Sequence, residues 1–482
     1  MEQVYFGRLA NLTYPSGEQY WSPSEAYPEH PYPERSSGEN GVYRLIRAGF
    51  HMLGYDEAHY GLAEWNPLGD LIRPGMTVLI KPNWVLHQND DPSHDMNCVV
   101  THPSVIRAVL DYVLLALKGT GRVIIGDAPI QICDFEALHR SFGYDKLWAY
   151  YREKGVALEI KDFRGLVALE TGTRMNVQRN QSAGIVVDLG NQSFFSGWSA
   201  EKIDRLRVTN YATGLMKEHH SEQKHEYMIH PSVLEADVVL NLAKPKSHRK
   251  AGLTACAKNF VGACMRKEDL PHHTVGSKAE NGDEYLKKSA LHTVQSRLLD
   301  LKNDSDYAGD KRFFLYHWLY KGVRAAQKLS GAEKRDFFEG SWYGNDTIWR
   351  TIVDLNRVLR YADKSGVLQE TQQRTVFNVC DMIVAGEGEG PLKPSPKPLG
   401  AIVMSDKIWA ADRFICRLVG FSDAAIRYLN HLPDRQDGDD SFVVVRETGE
   451  KTPFGAFAFD PACYLRPTDG WSGHIESGNR NA

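Results

Sequence analysis

The sequence predicts an α/β fold: a mostly parallel, doubly wound sheet with helices on both faces and a helical insertion. Three observations predict it. Short apolar runs recur along the chain, and each ends in glycine, proline or a charged residue. Segments of helical period separate several of these runs, which is the alternation that parallel sheets require. Between residues 265 and 362 the strand-like runs vanish and helical patterns rich in Lys, Asp, His and aromatic residues take over.

Residues 1–62 are rich in Pro, Tyr, Glu and Gly and read as an irregular arm wrapping the core. The first α/β part spans 63–264. Residues 76–80 form a strand that Lys81-Pro82-Asn83 ends. Pro103 suits the first turn of a helix, and Val105, Ile106, Val109, Leu110, Val113 and Leu114 then recur at helical spacing. Gly119 and Gly121 stop that helix. Residues 122–125 form the next strand, ended by Gly126-Asp127-Ala128-Pro129. Strand–helix–strand order implies parallel pairing through right-handed crossovers. Further strands are expected at 157–160, 184–189 and 238–242.

In the insertion, 265–362, Asp346 is placed to cap a helix with Ile348, Ile352, Leu355 and Leu359 on one face. Arg350, Asp354 and Arg357 share another face at pairing distance. The second α/β part, 363–450, completes the core. It holds a strand at 376–384, a stiff proline-rich loop at 391–398, a strand at 401–404, a helix at 408–419 and an edge strand at 441–445. Residues 451–482 read as a loose tail.

Composition bounds the function. The 482 residues are 42% hydrophobic and 24% charged, as expected of a globular chain. The formal net charge of -4 supplies no global field for nucleic acid or anionic membrane, so neither is an expected partner. No basic start followed by an apolar core opens the chain. No run reaches the roughly 20 apolar residues of a membrane span; the longest, 105–117, is interrupted by Arg107 and Asp111. A cytoplasmic protein is the expectation, with the oligomeric state left open. The 7 cysteines form no C-x-x-C pair and read as reduced, buried thiols, so no iron–sulfur cluster is expected.

The richest segment is 236–264, ADVVLNLAKPKSHRKAGLTACAKNFVGAC. An apolar run ends abruptly in Lys244, Lys246, His248, Arg249 and Lys250, followed by Gly252, Lys258-Asn259 and Gly262. Cations at the end of a buried strand are costly unless an anion meets them. Open α/β sheets bind their ligands at such strand ends. Lys244, Lys246, His248 and Lys258 are therefore candidate catalytic residues. Lys81, Asn83, Asn259, His272 and His273 are candidates for substrate binding. Arg249 and Lys250 read as surface cations.

Asp381, Glu387 and Asp412 sit within one strand-loop-strand-helix unit, and Asp127 is expected to approach them across the sheet edge. Hard carboxylates suit Mg²⁺ or Mn²⁺ carried with an anionic substrate, though they could instead balance the lysines. His219, His220, His225 and His230 lack zinc-ligand spacing. His248, His225 and His272 suit hydrogen bonding or proton transfer. No G-x-S-x-G, P-loop or strand-linked G-x-G-x-x-G is present.

These features favour an enzyme acting on a small phosphorylated or carboxylated metabolite, with divalent-metal assistance. A metal-free isomerase or epimerase using lysine and histidine is the alternative. A third reading is a non-catalytic binder of anionic glycans or a partner protein, for which Trp318, Trp342 and Trp349 would form the surface unless they pack the insertion on the sheet.

Lys81-Pro82-Asn83, the strand ending in Asp127, and Asp237-Val238-Val239-Leu240-Asn241 leading to Lys244, Lys246 and His248 resemble the family known as domain of unknown function 362. Thr254, Lys258-Asn259-Phe260-Val261-Gly262, Gly388-Glu389-Gly390-Pro391 and Asp412 extend the resemblance over roughly residues 75 to 425. The insertion, with Leu270-Pro271-His272-His273 and Trp342 to Arg350, looks like a long-form subset of that family. The resemblance implies a context in surface polysaccharide biosynthesis, and hence a sugar-derived substrate. Many relatives carry a ferredoxin-like cysteine cluster, and this chain departs from that pattern. No reaction comes with the resemblance.

Overall fold

The computed structural model describes residues 1–171, 174–179, 183–329, 337–435 and 441–478; over 169–179 it describes the backbone alone. Among the described residues, one sheet holds 11 strands. They are β1 (Glu2–Arg8), β2 (Thr77–Pro82), β3 (Arg122–Asp127), β4 (Leu158–Asp162), β5 (Val238–Leu242), β6 (Lys246–His248), β7 (Gly252–Thr254), β8 (Thr375–Glu389), β9 (Lys393–Ser405), β10 (Phe442–Arg446) and β11 (Lys451–Pro453). The order is β11-β10-β1-β9-β8-β5-β2-β3-β4, with the β6–β7 hairpin attached to β8. Strands β4, β3, β2, β5 and β8 run parallel, and the antiparallel β9 separates them from β1 and β10. This is the predicted doubly wound α/β architecture.

Alternation along each strand sorts side chains onto two faces. Val78, Ile80, Val123, Ile125, Val238, Leu240 and Leu242 face one core with helices α1 (Gly41–Met52) and α2 (Pro103–Leu117). Leu79, Ile124 and Val239 face the other. That second core is roofed by α8 (Ile348–Tyr361) and α9 (Ile408–Leu418), numbered after α3 (Phe135–Phe142), α4 (Tyr144–Glu153), α5 (Cys256–Asn259), α6 (Ala290–Tyr307) and α7 (Arg312–Leu329).

Several local expectations change. Residues 1–62 are more than an irregular arm: β1 lies inside the sheet between β9 and β10, and α1 packs on α2. The arm also explains the charges inside α2. Asp111 accepts from Arg107 Nε at 2.9 Å and Tyr151 Oη at 2.6 Å, and the arm's His30 Nε2 lies 2.9 Å away. The strand at Ile185–Asp188 leaves the main sheet and pairs antiparallel with Glu226–Ile229. Residues 391–398 are largely strand, because β9 begins at Lys393. Pro394, Pro396 and Pro398 fall where β9 pairs with β8 but not yet with β1, so their missing N–H groups cost the ladder little.

Asp346 does not cap α8; it receives Trp349 Nε1 and Arg350 instead. Asp354 pairs with neither arginine. It is buried and accepts from Ser193 Oγ, Phe194 N and Tyr227 Oη. The tail is not loose up to residue 478: Leu465, Trp471 and Ile475 are buried, and Trp471 Nε1 donates to Arg249 O at 2.8 Å. Its last four residues lie outside the described residues.

Candidate active site

The sheet's winding reverses between β2 and β5: β3 and β4 continue on one side and β8 on the other. A doubly wound sheet leaves a crevice at the carboxyl ends of such strands. Here that crevice is a cavity of about 550 Å³. Asn83 and Asp127 reach it from the ends of β2 and β3, and Lys246 and His248 from β6. Thr254, Lys258, Asn259, Lys267 and His272 complete the inner wall, and Lys302, Phe313, His317 and Lys321 of the helical insertion form the outer wall.

Two buried ion pairs support the floor. Lys81 Nζ donates to Asp127 Oδ1 at 2.7 Å, and Asp127 also accepts from Ala128 N and Trp84 N. Lys244 Nζ lies 3.2 Å from Asp381 and donates to Tyr14 Oη at 2.5 Å. Neither Lys81 nor Lys244 lines the cavity. Both amines are held below the ordinary lysine pKa by burial, which their carboxylate partners oppose.

Four lysines on the inner side of the cavity have no carboxylate partner among the described residues. Lys246, fully buried, donates to Asn83 Oδ1 at 2.7 Å and Val99 O at 2.9 Å. Lys250 donates to Thr209 Oγ1 at 2.6 Å, and Lys267 to Val261 O at 3.0 Å. Lys258 has no hydrogen-bond partner among the described residues. All four amines are destabilised as cations. Burial, followed by Lys267 and Lys250, pulls Lys258 down to about 7. Burial brings Lys250 and Lys267 each to about 8. Burial, then the charge of Lys244, pushes Lys246 well below its usual value.

The histidines divide by tautomer. His248 Nδ1 accepts from Lys250 N and Ala251 N, both at 3.1 Å. The proton of the neutral ring must therefore sit on Nε2, and His248 is a fixed donor. His272 Nδ1 lies 2.6 Å from Leu270 O, so it carries the proton and leaves Nε2 as a free lone pair. Burial keeps both rings well below the usual histidine pKa. His273 does not line the cavity; it stands behind Lys250, 3.5 Å from its amine.

An asparagine ladder joins the strand ends. Asn378 accepts from Asn241, Asn241 accepts from Asn259, and Asn259 accepts from Asn83, which in turn receives Lys246. Gly262 allows the segment after α5 to lie against the floor: a Cβ there would stand 1.8 Å from Asp127 Oδ1 and 2.7 Å from Lys81 Nζ. Sequence reading missed Asn241 and Asn378, whose roles depend on strand neighbours. It took Lys250 for a surface cation, although Thr209 draws it inward. It passed over Lys267, Lys302 and His317, for which no local pattern pointed to a site.

The four carboxylates expected to share a divalent ion are dispersed. Asp127 is saturated by Lys81 and two N–H groups. Asp381 serves Lys244, Tyr14 and His102 N. Glu387 accepts from Arg466 N near the tail. Asp412 accepts from Cys256 N at 2.7 Å and Ala257 N at 3.0 Å, anchoring α5, and burial raises its pKa to about 7. Their donors are spoken for by different partners, so these residues do not fit one Mg²⁺ or Mn²⁺ ion. Among the described residues no cluster of three or more His, Cys, Asp or Glu is arranged for a metal.

Fold and site together define a doubly wound α/β protein with a lysine-rich cavity at its switch point. The chain belongs to the family described as Domain of unknown function (DUF362), whose model matches residues 78–180 and 196–417. No curated protein matches the chain.

Proposed function

We propose that the protein is an enzyme that holds a small phosphorylated or carboxylated metabolite in this cavity and moves a proton on it. One observation carries the reading: Lys246, Lys250, Lys258 and Lys267 line one cavity, and none of them forms an ion pair with a carboxylate among the described residues. Buried ammonium groups are expensive, and an incoming anion repays that cost while gaining several charge-assisted bonds.

The tautomer pair favours metal-free proton chemistry over the metal-assisted alternative. His272 Nε2 is placed to accept a proton, and His248 Nε2–H to stabilise an oxyanion. That combination suits abstraction next to a carbonyl, as in an isomerase or epimerase. Mg²⁺ or Mn²⁺ enters the reading only as a companion held by a phosphorylated substrate's own oxygens. A sugar-derived substrate rests on the family resemblance. We also propose a cytoplasmic site of action, which the seven free, buried cysteines support. Among the described residues no helix is long and apolar enough to cross a membrane.

Thermal shift with inorganic phosphate, pyrophosphate and citrate tests the anion site. Lys246→Met should abolish the stabilisation; a wild-type shift in that variant refutes the reading. Sugar phosphates incubated in D₂O should then acquire deuterium through wild-type protein and not through His272→Gln. Equal incorporation by both would remove His272 as the base.

A further inference from the structure

The helical insertion turns an apolar stripe toward solvent. On α7, Phe314, Leu315, Trp318, Leu319 and Leu329 are 44%, 58%, 64%, 48% and 90% exposed. Their spacing places them on one continuous face, while Phe313, Tyr316, His317, Tyr320 and Gln327 turn inward. The adjoining helix α6 exposes Leu291, Val294 and Leu301 as well. Solvent-facing bulk of this kind marks a surface that something covers.

Charge indicates what does. From Lys311 to Leu329 the chain carries Lys311, Arg312, Lys321, Arg324 and Lys328 and no acidic residue. Lys321, Arg324 and Lys328 follow one flank of the stripe by helical phase. A second copy would bring like charges together along this helix. An anionic bilayer instead accepts both features: apolar side chains enter the acyl boundary while flanking cations meet the headgroups. The net charge of -4 conceals this basic stretch, which Asp310 offsets at Arg312, while Asp300, Asp304 and Asp306 lie on α6.

We propose that the α6–α7 hairpin docks the protein on an anionic membrane surface and that the substrate's anionic head is lipid-borne. The second half rests on the anion-site reading above. It follows from continuity: Phe313, His317 and Lys321 of the same helix, with Lys302 of α6, form the outer wall of the cavity. A lipid phosphate could place its head among the inner lysines while its chains remain beside the exposed stripe.

Vesicle flotation of the full chain tests the docking, with phosphatidylcholine alone and mixed with phosphatidylglycerol. Binding should require the anionic lipid. Trp318→Glu should weaken it at least about tenfold, and reversal of Lys321, Arg324 and Lys328 to Glu by about a hundredfold, at roughly fivefold per basic residue at an anionic surface. These side chains are exposed, and gel filtration checks that the variants stay folded. Lys246→Met should float like wild type.

Absence of flotation with an intact phosphate-induced thermal shift overturns the docking and leaves the anion site standing. Flotation without any phosphate shift does the reverse. Flotation indifferent to Trp318→Glu, or self-association relieved by it in place of flotation, also overturns the docking. For the lipid-borne head, a short-chain phosphatidic acid should bind at least about tenfold more tightly than glycerol phosphate, through Lys246. Equal affinity overturns that part.

Discussion

Lys258→Met gives the sharpest test of the cavity's electrostatics, because Lys258 makes no hydrogen bond among the described residues whose loss would confuse the result. Burial and two neighbouring lysines lower its pKa from 10.5 to about 7. At about 1.4 kcal/mol per pH unit, that fall corresponds to on the order of 4–5 kcal/mol of destabilisation when the amine is protonated. The sign follows from proton binding. Between pH 7 and 10.5 the unfolded chain holds a proton that the folded one has released, so stability rises with pH across that window.

Below about pH 7 both states are protonated and the full cost applies; above about 10.5 it vanishes. Lys258→Met should therefore raise the Tm of the anion-free protein most near pH 6 and progressively less toward about pH 9. A chain of 482 residues unfolds with an entropy on the order of 1 kcal/mol/K, so the gain at low pH is on the order of 4 °C. Differential scanning calorimetry in phosphate-free buffers measures it. A gain that stays constant from acid to alkaline pH would mean that Lys258 titrates normally, and the argument from an unbalanced cavity would fail.

Three further outcomes follow from the floor and walls of the site. Asp127→Asn leaves Lys81 buried without its counter-charge and should cost about 3–5 kcal/mol, read as a Tm lower by several degrees. Gly262→Ala places a methyl 1.8 Å from Asp127 Oδ1, so the segment carrying Lys258 must shift; anion-induced stabilisation should fall at least about tenfold in apparent affinity, even if the fold survives. Trp471→Ala removes the indole that donates to Arg249 O and packs where a Cβ on Gly252 would stand, so chemical denaturation should show a loss of about 3–5 kcal/mol.

The parallel strands were legible because their signal is local. Runs such as Val238 to Leu242 alternate between two cores, and their abrupt ends in lysine place a site at the sheet's edge. Lys246, His248, Lys258, Asn83 and Asn259 were found that way, and they do share one cavity, together with His272, which was singled out among the histidines. Lys244 was indistinguishable from Lys246 in the sequence. What separates them is Asp381, a residue of β8 that meets Lys244 only after the sheet assembles. Asp412 likewise looks like a ligand until its N–H partners on α5 are seen. β1 was illegible for the same reason: a short apolar run beside proline-rich sequence gives no hint that Tyr5 pairs with Met404. The outer wall of the cavity comes from a helical hairpin whose spatial relation to the sheet no periodicity encodes.

The place of β1 has a consequence for biosynthesis. This is the earliest of the eleven strands to leave the ribosome, yet it is flanked on both sides by the late strands β9 and β10. At roughly 5–20 residues per second, tens of seconds pass before its partners exist. Through that interval a chain segment with both backbone edges open must be shielded from pairing with neighbours on the polysome. Nascent chains halted before β9 should therefore depend strongly on chaperones, and a bulky fusion ahead of Glu2 should depress yield more than one placed after the tail.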